Sequence, residues 1–158
     1  MSIMSNKEHA EKLFEELGPL LEPLAVAYDE DEAHWAVMID EDHQIDVAYD
    51  EQVERFVFAI DLGAVPDEAA ETVHELLLRF SFVWRQTGGL HAALDDEGHA
   101  ILMYKHALQG LDVQTLQGLL GGLHAHHQYW ATLVTGDGGD DVFSDAPENT
   151  APLGSIRP

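Results

Sequence analysis

Cysteine is absent from the 158 residues. That removes a disulfide framework and any thiol nucleophile, and it fits a reducing compartment without requiring one. Basic residues are scarce: 7 Lys and Arg stand against 30 Asp and Glu, for a formal net charge of −23. Nucleic acids and anionic membranes also present negative charge, so neither is the expected partner; a basic or polar segment is. Long apolar runs are missing too. No window approaches the roughly 20 residues of a membrane span. Met1-Ser2-Ile3-Met4-Ser5-Asn6-Lys7 lacks the apolar core of a secretory signal. The expected location is the cytoplasm.

Catalytic signatures are also lacking. There is no Gly-rich phosphate loop after a strand, no Gly-x-Ser-x-Gly elbow and no His-Glu-x-x-His. The many carboxylates cluster in turns such as Asp29-Glu30-Asp31-Glu32, where they are solvated, and nothing in their spacing selects an acid–base pair. Of 10 histidines, His124 and His127 fall on adjacent turns of one helix face, a spacing that can chelate. A metal-dependent enzyme using that pair is the competing reading from another class. No carboxylate stands at a motif position beside it, so the sequence assigns no metal and no cofactor. Gly136-Asp137-Gly138-Gly139-Asp140-Asp141 looks like a fragment of a calcium loop but lacks EF-hand spacing, and reads as linker.

What is present is a core. Hydrophobic residues make up 46% of the chain, enough for one folded domain. Its organising stretch is Asp67 to Thr87, a predicted helix between Pro66 and Gly88-Gly89. Ala69, Val73, Leu76, Leu77, Phe80, Val83 and Trp84 form one broad apolar stripe on it. Leu78 and Phe82 fall nearly opposite, one turn apart. They cover either another part of the same chain or, the reading adopted, a second copy of this helix across a two-fold axis.

Upstream, Ser5-Asn6-Lys7-Glu8 matches a capping box, and Ala10, Leu13, Phe14 and Leu17 recur at helical spacing. This predicts a first helix from Asn6 to Leu17, stopped by Gly18-Pro19. Leu24 to Tyr28 is a short apolar run, either a loop lead-in or a brief strand. His34 to Ile39, then Ile45, Val47 and Tyr49, then Phe56, Phe58 and Ile60 predict three strands of an antiparallel meander. The first of these is apolar on both faces: Trp35, Val37 and Ile39 on one, Ala36 and Met38 on the other. Either a partner, or a subunit or the first helix, covers the surplus face.

Downstream, Leu90 to Leu94 and His99 to Ala107 flank Asp95-Asp96-Glu97-Gly98, a predicted hairpin with Gly98 left-handed. Asp112 is a good cap for a last helix reaching about Val134. Gly118, Gly121 and Gly122 in it suggest close approach to the sheet, or a kink. The order helix, three strands, helix, hairpin, helix makes an α+β domain over residues 1–135. Residues 136–158, rich in Gly, Asp, Pro and Ser, read as a disordered acidic tail.

This pattern resembles the class I type III secretion chaperones, or Tir-chaperone-like proteins, over about Asn6 to Val134. The residues behind the resemblance are Leu13-Phe14-Glu15-Glu16-Leu17-Gly18, Ile60-Asp61-Leu62-Gly63-Ala64-Val65-Pro66, Leu90 through Ala100, Leu111-Asp112 and Tyr129-Trp130. The last third is also similar to chaperone-type anti-anti-activators, which sequester a small regulator of secretion genes. The resemblance implies a bacterial, cytoplasmic homodimer without catalytic activity. It also implies that a secreted effector's N-terminal segment wraps around the dimer in extended form. On this reading Leu13, Phe14, Trp35, Val37, Met38 and Val47 contact the effector, and Leu78, Phe82, Leu102 and Tyr104 form the dimer interface.

Overall fold

A computed structural model describes residues 4–22 and 24–136. The first helix, α1, spans Asn6–Leu21. Its capping box forms as expected: the Glu8 N–H donates to the Ser5 hydroxyl at 3.1 Å, and the Ser5 N–H donates to the Glu8 carboxylate at 2.8 Å. The helix does not stop at Leu17 but runs through Gly18 and Pro19. Proline inside a helix forfeits one backbone hydrogen bond, a cost tolerated here near the helix end. The stop comes at Glu22, whose extended φ −52°, ψ 139° suits a residue that precedes Pro23.

Four strands follow rather than three: β1 (Val26–Asp29), β2 (His34–Met38), β3 (Gln44–Asp50) and β4 (Arg55–Ala64). The brief strand after α1 therefore exists, antiparallel to β2 with Tyr28 opposite Trp35. On the other side of β2, Trp35 pairs with Val47 and Val37 with Ile45. After a 3-10 turn, Asp67–Ala69, the central helix α2 spans Ala70–Phe82. Then come β5 (His91–Leu94), β6 (His99–Ala107) and α3 (Val113–Thr135). The six strands form one sheet in the order β1-β2-β3-β4-β6-β5. Between β5 and β6 the expected hairpin has Gly98 at φ +82°, while the Asp95 carboxylate accepts the N–H groups of Glu97 and His99, each at 2.9 Å.

The chain divides into two compact units. The first holds the described residues to Phe58 with Lys105–Leu120; the second holds Ala59–Tyr104 with the described residues from Gly121 onward. Aromatic rings centre the first unit. Phe14 of α1 stacks on Trp35 at 4.4 Å between centroids and meets Phe56 edge-on at 5.6 Å. In the second, Phe80 of α2 packs on Trp130 of α3 at 4.8 Å. There Gly63 holds φ +104°, and a Cβ on it would lie 2.9 Å from the Thr135 methyl, so the end of β4 requires glycine.

The central helix is shorter than its sequence pattern. It gives way at Val83, and Val83 and Trp84, expected on the buried stripe, are exposed. The segment after it is a run of turns: Gly89 donates to the Trp84 carbonyl at 2.7 Å, and the Thr87 hydroxyl donates to that same oxygen at 3.1 Å. Two of the three glycines of α3 also differ from expectation. A Cβ at Gly118 or Gly121 meets nothing within 4 Å, so neither marks a close approach. The acidic tail and its calcium-loop-like stretch lie outside the described residues, apart from Gly136.

Candidate functional site

Strand parity decides which predicted contact residues are accessible. In the first unit, β2 alternates half-buried and buried, with Trp35 and Val37 on the face that also carries Ile45 and Val47. Phe14 of α1 stacks on that face through Trp35, and Leu13, Phe14, Trp35, Val37 and Val47 are all buried in the core. The sequence reading assigned the five to cargo contact; the fold already uses them for packing. Met38 remains half-buried on the opposite face, in a mixed rather than apolar setting. Ala36 there lies opposite Asp46 and Met38 opposite Gln44, with the His34 Nε2 3.6 Å from the Asp46 carboxylate. Leu13 contributes to the floor of an open depression of about 400 Å³ on α1, lined also by Met4, Asn6, His9, Lys12 and Glu16.

The same parity rule sorts the predicted interface residues of the second unit. Leu102 and Tyr104 of β6 are buried, while Ile101 and Met103, which alternate with them, are half-buried on the other face. Both parities of β6 are apolar, so alternation alone did not separate them. Leu78 and Phe82 are different. They stand 72% and 85% exposed on the outer side of α2. Past the helix end Val83 and Trp84 are exposed as well, with the Arg85 guanidinium 5.2 Å from the Trp84 ring centroid. Exposed large apolar side chains of this kind are where interfaces are sought.

The two edges of the sheet differ. At β5, the Ala92 N–H donates to the Ser81 hydroxyl of α2 at 2.8 Å, so a helix side chain occupies that edge. At β1, Tyr28 lies face to face on Trp35 with centroids 4.8 Å apart, and its hydroxyl donates to the Glu11 carboxylate of α1 at 2.7 Å. Sequence reasoning missed Tyr28, Glu11 and Ser81. The only signal for Tyr28 was the short apolar run before the acidic turn.

Among the described residues, charged groups do not converge on a reaction centre. Asp40 accepts the backbone N–H of Asp42, and also the N–H and ring of His43, which hold its carboxyl down at about 2. His99 is raised by its hydrogen bond to Asp61 at 2.8 Å. His126 is buried beside Phe80, and both ring nitrogens lack a hydrogen-bond partner; burial lowers its pKa. Among the described residues no group of three or more His, Cys, Asp or Glu can hold a metal ion, so His124 and His127 gain no third ligand there. Among those residues no helix is long and apolar enough to cross a membrane.

An α+β chain with an exposed apolar helix face, an open sheet edge and no assembled reaction centre among the described residues has the build of a protein-binding module. Its family gives that class a name. The sequence model of the Tir chaperone protein (CesT) family matches residues 12–131, and the chain belongs to that family. A search of curated proteins by sequence gives no match. Solved structures share the fold. One is the ExsC–ExsE complex, at 20% identity and TM-score 0.68, covering 84% of this chain and 98% of the other. Another is the HopA1–SchA chaperone–effector complex, at 20% identity and TM-score 0.67, covering 83% and 98%. A third is the Yersinia pestis type III secretion chaperone SycH with a stable fragment of YscM2, at 20% identity and TM-score 0.60, covering 77% and 98%.

Proposed function

We propose that this chain is a homodimeric, non-enzymatic chaperone of a bacterial cytoplasm. It binds the extended N-terminal segment of a type III secreted effector and keeps it soluble for export. One observation above all supports this reading: Leu78 and Phe82 leave an apolar face on α2 that the described residues do not cover. A second copy buries that face, and dimerisation repeats every guest-binding surface, which suits a long unfolded segment. The edge of the sheet at β1 is the one open to a guest strand, while Ser81 occupies the edge at β5. The strong negative charge keeps the unloaded protein dispersed and favours a basic guest.

The relatives solved with partners support the guest half of the proposal; this chain's own guest comes from experiment. Co-expression with each secreted protein of the host, with and without its N-terminal segment, tests it. Retention that depends on that segment, with the segment still unfolded in the complex, agrees with the proposal. Retention of a folded domain instead contradicts it. If the retained partner is a small regulator of secretion genes, the protein is the regulatory variant of the same fold.

A further inference from the structure

Tyr28 is the outer member of a stack of three rings. Its ring stacks on the Trp35 indole at 4.8 Å and 20°, and the Phe14 ring stacks on the same indole at 4.4 Å and 16°. Trp35 and Phe14 are buried, yet Tyr28 is 40% exposed. One hydrogen bond fastens the outer ring, from its hydroxyl to Glu11 on α1. Partial burial, and the carboxylates of Glu11, Glu30 and Asp29, push the phenol pKa above its usual value, so the hydroxyl stays a donor.

The strand bearing Tyr28 lies at one edge of the sheet. It has four residues, three of them exposed, and a single neighbouring strand. Edge segments with few buried contacts open at low free-energy cost. Beneath Tyr28 lie a flat indole face and, one hydroxyl length away, a carboxylate acceptor on a helix. The present occupant shows what fits there: an aromatic ring carrying a donor, delivered by an extended strand.

We propose that Tyr28 is a built-in placeholder, filling a side-chain site on Trp35 and Glu11 that an aromatic residue of a guest's extended segment takes over when β1 yields. The proposal rests on the guest-binding reading above and gives that guest a chemistry, a tyrosine-like residue rather than an aliphatic one. It also accounts for the burial of Phe14 and Trp35 in the unloaded chain: the chain supplies its own ring in the guest's place. The exchange swaps like for like, one stack and one hydrogen bond for another. That keeps the guest releasable.

The test uses the full chain labelled with 5-fluorotryptophan, in which Trp35, Trp84 and Trp130 each give a fluorine signal. N-acetyl-tyrosinamide is the probe and N-acetyl-leucinamide the control. Tyr28→Ala empties the site, so the Trp35 signal moves and responds saturably to the tyrosine analogue at about tenfold lower concentration than in wild type. The leucine analogue leaves it unmoved. Glu11→Ala keeps the ring but removes its latch, shifts the response in the same direction, and stands in if Tyr28→Ala does not fold. A Trp35 signal that answers the probe equally in wild type and in the folded variants overturns the proposal. Failure of the guest-binding reading looks different: the variants respond as described, but wild type retains no secreted protein.

Discussion

The backbone N–H of Ala92 donates to the Ser81 hydroxyl at 2.8 Å, and that hydroxyl donates onward to the Leu77 carbonyl at 3.0 Å. A single side chain thus joins edge strand β5 to the central helix. Ser81→Ala leaves a part-buried amide without its acceptor, and the expected loss is about 1–3 kcal/mol. Urea unfolding measures the loss. Native-state hydrogen exchange should show the Ala92 amide exchanging faster than its neighbours on β6.

The glycines of the chain separate into required and dispensable ones. Gly118 and Gly121 sit in α3 with open space where a Cβ would be. Replacing either by alanine should stabilise the protein by about 1 kcal/mol, because glycine is a poor helix former. Gly63→Ala should destabilise, since the position needs φ +104° and the new methyl meets Thr135 at 2.9 Å. Midpoints of chemical unfolding for the three variants give the signs directly.

Two histidines pull the pH dependence of stability in opposite directions. Burial lowers the His126 pKa below 6.5. The unfolded chain therefore takes up this proton first, and stability falls as pH drops below about 6.5. Asp61 raises the His99 pKa above 6.5, so its contribution is complete below that value and is lost as pH rises through the higher folded pKa. His126→Leu should flatten the acid side of the profile. Asp61→Asn should remove the decline on the neutral side. Unfolding midpoints between about pH 5 and 8 test both.

Much of this fold was legible in the chain. The capping box at Ser5 and Glu8, the alternation of Ile45, Val47 and Tyr49, and the Gly98 hairpin are local signals that tertiary contacts left intact. β1 was ambiguous because four residues hold too little periodicity to tell a strand from a loop. The central helix looked longer because Val83 and Trp84 continue its apolar spacing, although the backbone there has already turned. Trp35 and Leu102 show the deeper limit. Strands apolar on both faces do not announce which face a helix will cover, so buried residues were read as contact residues. The exposure of Leu78 and Phe82 was readable because a helix with charged neighbours separates its faces clearly.

The account's central claim is that α2 exposes an apolar face because a second copy covers it. Light scattering coupled to size exclusion, at micromolar concentration, tests this most directly. Wild type should elute at twice the 17.5 kDa chain mass, and the Leu78→Asp, Phe82→Asp double variant at once that mass with its circular dichroism unchanged. A wild-type monomer, or a double variant that remains dimeric, would contradict it.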